Sequence, residues 1–392
     1  MTDSQKLILL VVVLYVSDCV TWVNSHAIAF LSCFGRRWTW RQAGRIIGNS
    51  QGGLLWSRLL PPSSMRFLSQ TTPVSISPQG VVDFVTHAIA RDGYAEQSGT
   101  ALRFEEISSV AHAEHELRLN HRRMVGTCSV ELTSRLAHHL QQLRQAVPSE
   151  RELLIDHWLD AAFDTRLIRE RLLRFRDLTR FVRWHANIFF CYVFVAVPGI
   201  VLLRDWETTW RFLLALYVFL LLSLVWYYFR AHQMLYRHRR GQRWQSAVIM
   251  CVNPLSAMRS VDELARDWLA VFDPLAIAAV VLEGEAWRHF AGLVLRDISY
   301  PLQPWPVELD EQAASVVTWH REKLRTRYEQ LLGEKQEPLD RILLPEGAAA
   351  AVDETSRRIC PRCLCQYRLS SDSCSSCHIP LSPLPPPAWN EA

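Results

Sequence analysis

The sequence predicts an α+β integral membrane protein: three transmembrane helices, a β-rich cytoplasmic domain, a cytoplasmic helical bundle and a small C-terminal cysteine module. Three observations carry this. Two long apolar runs, 188–203 and 212–229, are separated only by "RDWETTWR". Short alternating apolar runs, punctuated by Gly, Pro, Ser and Asn, fill the region after residue 25, the pattern of half-buried strands. Five of the ten cysteines fall between residues 360 and 377, while the rest stand singly among apolar neighbours. Scattered thiols with one local cluster indicate a reduced compartment rather than a disulfide framework. The net charge of +4 is too small for a nucleic-acid-like polycation.

Residues 7–23 form the first expected span. Asp18 interrupts the run, but no convincing cleavage site follows, so it reads as a retained helix rather than a signal peptide. Asp18 itself reads as a solvated carboxylate near a helix end. Residues 25–147 read as a β-rich cytoplasmic domain closed by an amphipathic helix over 130–146, with Leu132, Leu136, Leu140 and Leu143 on one face. His112, His115, His121, His138 and His139 show no metal-ligand spacing. "RRWTWR" (36–41) reads as an anchor to anionic lipid.

Residues 149–185 read as a helical stalk opened by a Ser149–Glu152 capping box. Its alternating charges belong to a solvated helix face. Residues 186–229 form the transmembrane hairpin. Trp184, Trp206, Trp210 and Trp226 lie near its ends, where amphipathic rings anchor at the interface, and Pro198 is placed to kink the first arm. Seven Arg against three acids precede the hairpin (164–185), and five Arg with no acid follow it (230–243). Four more follow the first span (36–45). By the positive-inside rule these flanks are cytoplasmic, which places the N-terminus outside and most of the chain inside the cytoplasmic (inner) membrane.

Residues 230–333 read as a cytoplasmic helical region. It holds a second capping box, Ser260–Glu263, before the apolar face of Val261, Leu264, Ala265, Trp268 and Phe272. Asp273-Pro274 starts a core helix too short to span, and a last helix runs from about 311 to Gly333. Residues 334–358 read as a flexible linker and 382–392 as a disordered Pro-rich tail.

The cysteine cluster spans 359–381. Cys360-x2-Cys363 and Cys374-x2-Cys377 can present four thiolates to one tetrahedral ion. The segment resembles the short zinc ribbons at the ends of bacterial proteins, of the form CPxC…CxxC with an apolar closing residue, here Leu381. The resemblance implies a structural Zn2+ held by those four cysteines. It covers about twenty residues and departs at two: the family has Gly after each second Cys, where this chain has Leu364 and His378. One knuckle is therefore expected to be strained, and Cys365 and His378 are alternative ligands.

These features predict a membrane-anchored, non-enzymatic adaptor with the bilayer and a cytoplasmic protein as partners, and they leave room for homo-oligomers. A membrane enzyme acting on lipid or envelope precursors is the alternative, with Asp156 and His157 or Glu283 and Glu285 as recruitable groups. A nucleic-acid-linked membrane regulator is a further alternative, but the basic footprint of Arg357, Arg358, Arg362 and Arg368 is thin for it.

Overall fold

The computed structural model describes residues 40–42, 45–47, 74–83, 101–113, 116–126, 129–203, 206–236, 239–252, 257–300, 310–344 and 355–384, with residues 6, 10 and 254. Trp40–Gln42 (β1) and Arg45–Ile47 (β2) pair antiparallel. Val74–Ile76 (β3), Gly80–Asp83 (β4) and Ala101–Arg103 (β5) form an antiparallel sheet in chain order. Val110–Ala113 (β6), Glu116–Leu119 (β7) and Arg122–Gly126 (β8) form another. The β7–β8 turn places Asn120 at φ 50°, a region its short amide tolerates by bonding locally. Its Oδ1 accepts from the Ser108 amide at 2.7 Å, and its Nδ2 donates to the Glu106 carbonyl at 2.8 Å. The expected mixture of sheet and helix is present.

Val130–Gln145 (α1) begins at Ser129, whose Oγ accepts from the Leu132 amide at 3.3 Å. Its Leu136, Leu140 and Leu143 are buried, as their spacing predicts. Pro148–Phe163 (α2) starts earlier than expected: Val147 is the N-cap, and Pro148 fills the first turn, where a missing N–H costs nothing. Ser149 is thus inside the helix, the capping box does not form there, and Glu152 instead pairs with Lys323 at 2.8 Å. The stalk is two helices, because Asp164 breaks the run and its Oδ1 accepts from Leu167 N as Thr165–Cys191 (α3) begins.

The three-span expectation is not supported. Among the described residues one helix, Trp206–Leu235 (α5), is long and apolar enough to cross a membrane, over Thr209–Leu235. The arm before it is divided: α3 ends at Cys191, a π-helical turn covers Tyr192–Ala196, and Val197–Leu203 (α4) follows. Pro198 explains the division, since its ring clashes with the carbonyl four residues back and a wider turn relieves the clash. Residues 7–23 lie outside the described residues apart from Leu10.

Downstream are Arg240–Val252 (α6), Ala257–Leu269 (α7), Pro274–Val281 (α8), Gly284–Ser299 (α9), Glu311–Glu334 (α10) and Leu339–Leu343 (α11). Because α7 already begins at Ala257, Ser260 lies within it rather than capping it. Asp273 does cap α8, its Oδ1 accepting from Leu275 N at 2.7 Å, and the helix is almost wholly buried. The linker is shorter than expected: α11 occupies its first part, and Ser356–Ile359 (β9) belongs to the cysteine module.

The chain divides into two units. One comprises 1–39, 50–67 and 169–269. Here Arg171 and Trp268 bond reciprocally, Nη1 to the Trp268 carbonyl at 2.9 Å and indole Nε1 to the Arg171 carbonyl at 3.2 Å. Tyr236 donates to the Leu264 carbonyl, and Arg239 pairs with Asp267.

The other unit comprises 40–49, 68–168 and 270–392. Its main core joins Val74, Ile76, Val81 and Phe104 of the first part to Leu136, Leu140, Ile155 and Leu159 of α1 and α2. A second core sets Val82 and Ala101 against Ala313, Val316 and Val317 of α10. Segments read separately from the sequence as a β-rich domain and a helical region thus share one interior.

Candidate metal centre

The cysteine module is a three-stranded antiparallel sheet, with β9 central between Gln366–Arg368 (β10) and Ser382–Pro383 (β11). The start of the expected tail is therefore a strand, and Leu384 N donates to the Arg357 carbonyl at 2.9 Å. Residues 385–392 lie outside the described residues.

Two knuckles with one bonding pattern face each other. In the first, Cys363 N points at Cys360 Sγ (3.4 Å), Leu364 N donates to the Cys360 carbonyl (2.9 Å) and Cys360 N to the Cys365 carbonyl (2.9 Å). In the second, Cys377 N points at Cys374 Sγ (3.3 Å), His378 N donates to the Cys374 carbonyl (2.8 Å) and Cys374 N to the Ile379 carbonyl (3.0 Å). Closing each turn requires a left-handed residue, and Leu364 and His378 supply it at φ 61° and 55°. Both knuckles, not one, carry the strain of a side chain where Gly is at ease.

The four sulfurs of Cys360, Cys363, Cys374 and Cys377 lie within 4.8 Å of one another. A tetrahedral zinc bound at 2.3 Å needs sulfurs about 3.8 Å apart, and the Cys363–Cys374 separation is 3.6 Å. The donor set and its spread fit such an ion. Cys360, Cys374 and Cys377 are buried and Cys363 is exposed. Cys365 and His378, the alternative ligands, are not part of the four-sulfur group.

The environment differs at each thiol. Burial pushes Cys360 up to about 11 and raises Cys363 and Cys377 as well. Burial also acts upward on Cys374, but the Tyr367 hydroxyl at 3.2 Å and the amides of Ser376 and Cys377 outweigh it and bring the thiol down to about 6. Tyr367 is held in place by Ser375, whose amide donates to the phenol oxygen at 3.2 Å. Sequence reading passed over Tyr367; a lone aromatic in a polar hairpin carries no spacing signal.

The centre leans on the helical part of its unit. Tyr300 packs against Cys360, Cys374, Cys377 and Ile379, and Arg362 donates to the Tyr300 carbonyl at 2.7 Å. Four thiolates leave no open coordination position, so the arrangement suits a structural ion.

The other expected site residues are dispersed. Trp184, Trp210 and Trp226 are exposed, Trp184 on α3 and the other two on α5, which Trp206 opens. Asp156 pairs with Lys323 at 3.0 Å and with Arg327, while Glu283 and Glu285 are exposed at the start of α9. No protein-family profile, curated protein or solved structure matches this chain.

Proposed function

We propose that this chain is a membrane-anchored, non-enzymatic adaptor whose cytoplasmic unit is closed by a structural zinc ribbon and recruits a protein partner. The observation that carries the reading is α5: only 22% of its spanning window is buried by the rest of the chain. Phe212, Phe219, Leu222 and Trp226 stand exposed along it. An apolar face of that length is costly in water and suits lipid.

The shared core of the second unit supports a hairpin. A chain that leaves a domain, enters a bilayer and returns to complete the same domain crosses an even number of times. In this reading α5 is one crossing, and the arm over 186–203 is the other. That arm packs on α5 through Phe189, Tyr192 and Val193 against Leu213 and Leu220. The basic flanks put the composite unit on the cytoplasmic side. The four cysteines then sit in a reducing compartment, where thiolates remain available for zinc.

The test is affinity capture of the full-length protein extracted from membranes, beside Cys374→Ser/Cys377→Ser, with zinc quantified in both. Loss of a stoichiometric partner together with the metal supports the adaptor. A partner set unchanged by zinc loss removes the ribbon from recruitment.

A further inference from the structure

We propose that α6 is a second membrane contact: its exposed apolar face lies in the cytoplasmic leaflet, and the guanidinium groups of Arg183 and Arg243 beside it hold phospholipid headgroups. The proposal rests on the membrane reading of α5 and extends it to a helix that the sequence assigns to the cytoplasm.

Ring contacts fix the level at which this happens. Tyr227 of α5 stacks on Phe181 of α3, with centroids 5.2 Å apart, and meets His185 one turn along at 4.5 Å. Two residues on, Phe229 packs edge-on against Trp244 of α6 at 4.7 Å. Residues 181–185, 226–229 and 244 of the three helices therefore lie within about one helical turn of a common level. Trp184, Trp226 and Trp244 face outward there, exposed by 65%, 67% and 60%. From Trp206, which opens α5, to Trp226 is about 30 Å of helix, the thickness of a hydrocarbon core. The aromatic level is thus a boundary of the bilayer, and α6 begins beside it.

Along α6 one side stays apolar and uncovered. Trp244, Val248 and Cys251 follow at helical spacing, and all three are exposed. Ser246, Ala247 and Met250 occupy the buried side. The Phe229–Trp244 contact joins this exposed face to the end of the spanning helix. An interfacial helix buries such a face about 5–10 Å into the headgroup and acyl boundary.

The charges agree. No Asp or Glu occurs from residue 208 to 261, a stretch that holds Arg230, Arg237, Arg239, Arg240 and Arg243. Arg239 pairs with Asp267. Arg243 instead lies over the Phe229 ring, its Cζ 5.1 Å from the centroid, and among the described residues its buried Nε has no hydrogen-bond partner. The same holds for the Nε of Arg183 on α3, although its Nη2 donates to the Arg176 carbonyl at 3.1 Å. A buried guanidinium edge without an acceptor is unfavourable. A lipid phosphate at this level supplies the pair of oxygens that the planar fork matches, and the acyl chain below it covers the apolar face.

The experiment uses the full chain, with the thiols outside the cysteine centre changed to serine and one bimane reporter at a time, reconstituted in phosphatidylcholine–phosphatidylglycerol vesicles. Reporters stand at Val248→Cys, at Phe219→Cys midway along α5, and at Gln242→Cys, exposed roughly 160° round α6 from Trp244. Lipid carrying a nitroxide near the headgroup should quench Val248→Cys and leave Gln242→Cys bright, while a deep nitroxide should quench Phe219→Cys. Quenching of Phe219→Cys without quenching of Val248→Cys overturns the proposal and leaves the span intact. Loss of quenching at both overturns the span, and this proposal with it. Val248→Cys shielded from aqueous iodide yet untouched by lipid nitroxide would mean that protein covers the face, which also overturns it. Spin-labelled phosphatidylglycerol should then quench Val248→Cys at lower mole fraction than spin-labelled phosphatidylcholine. Arg183→Gln/Arg243→Gln should weaken that preference by about fivefold per cation; an unchanged preference overturns the headgroup assignment. Should the double variant not fold, the parent decides, and equal quenching by the two lipids overturns it.

Discussion

His320 on α10 lies with its Nδ1 3.1 Å from the carbonyl oxygen of Ile76 on β3, a bond between residues 244 positions apart. Since the carbonyl can only accept, the ring carries its proton on Nδ1 and is neutral. It closes the sheet on a helix that the chain reaches only after the whole apolar stretch. Burial holds the imidazole down at about 4, with the Ile76 carbonyl pulling weakly the other way.

That depression has a defined sign. Between pH 4 and 6.5 the unfolded chain protonates this histidine and the folded chain does not, so its contribution is present above 6.5 and lost as pH falls toward 4. Asp273 acts oppositely. Burial raises it to about 6, against the amides of Leu275 and Ala276 and the Tyr328 hydroxyl, so its contribution is present below 3.8 and lost as pH rises through 6. Each shift corresponds to roughly 3 kcal/mol. Relative to the parent, Asp273→Asn should melt lower on acidification from pH 6.5 to 4, and His320→Asn should melt relatively higher. Thermal midpoints across that range check both slopes, and parallel profiles for the two variants would refute the assignment.

Arg151 joins parts of the fold that no periodicity connects. Its Nε donates to the Leu143 and Ala146 carbonyls, its Nη1 to the Pro78 carbonyl and to Glu105 at 2.8 Å, and it stacks over Phe104 at 4.9 Å. Arg151→Met leaves these acceptors unmet and should cost about 3 kcal/mol. Arg151→Lys, a point charge without the planar fork, should recover less than half. Denaturant midpoints measure both; a loss below 0.5 kcal/mol in Arg151→Met removes the residue from this role.

Arg151 also shows where the sequence stops being informative. Helices were legible wherever apolar spacing was long: the buried Leu136, Leu140 and Leu143 follow from period alone. The grouping of Cys360, Cys363, Cys374 and Cys377 was legible because two short turns encode it locally. What joins distant segments was not. Arg151 and His320 are ordinary polar letters in helical stretches, and their significance comes from partners many residues away. The capping boxes failed for a different reason. Pro148 pre-sets the first turn of α2 and shifts the cap to Val147, overriding the hydroxyl of Ser149. Strand pairing failed to mark domain limits because a sheet needs a facing layer, and α10 supplies it from the far side of the apolar region.

Gly80 tests that packing at the backbone. A Cβ there would stand 2.5 Å from the Leu102 carbonyl oxygen and 3.1 Å from its carbon. Both are main-chain atoms of the paired strand β5, so neither can yield without breaking the ladder. Gly80→Ala should destabilise the protein by more than about 2 kcal/mol, well beyond an unstrained Gly→Ala change. A neutral result would mean that β4 and β5 are not this closely paired.

The knuckles offer a gain rather than a loss. A left-handed non-glycine residue costs about 1–2 kcal/mol, offset in part by the greater freedom of an unfolded glycine. Leu364→Gly and His378→Gly should each tighten zinc binding several-fold, and the two effects should multiply. His378→Gly is the sharper case, because it also deletes the imidazole. If that variant loses zinc instead, His378 is a ligand and the four-sulfur assignment is wrong.

The hairpin makes a prediction that a soluble helical reading does not share. Phe219 is exposed midway along α5. On a water-facing surface Phe219→Arg is neutral or improves solubility. At the centre of a bilayer an arginine costs about 2.5–3.5 kcal/mol, enough to reduce membrane insertion markedly. Topology then follows from parity. Reporter cysteines at His112, on the exposed face of β6, and at Leu369, at the ribbon surface, belong to a unit entered before and completed after the apolar helices. With the other thiols outside the centre changed to serine, both should react with an impermeant maleimide from the same side of sealed vesicles. A reporter at Arg211, beside the turn of the hairpin, should react only from the other. Labelling of His112 and Leu369 positions from opposite sides would mean an odd number of crossings between them, and α5 would stand alone as the span.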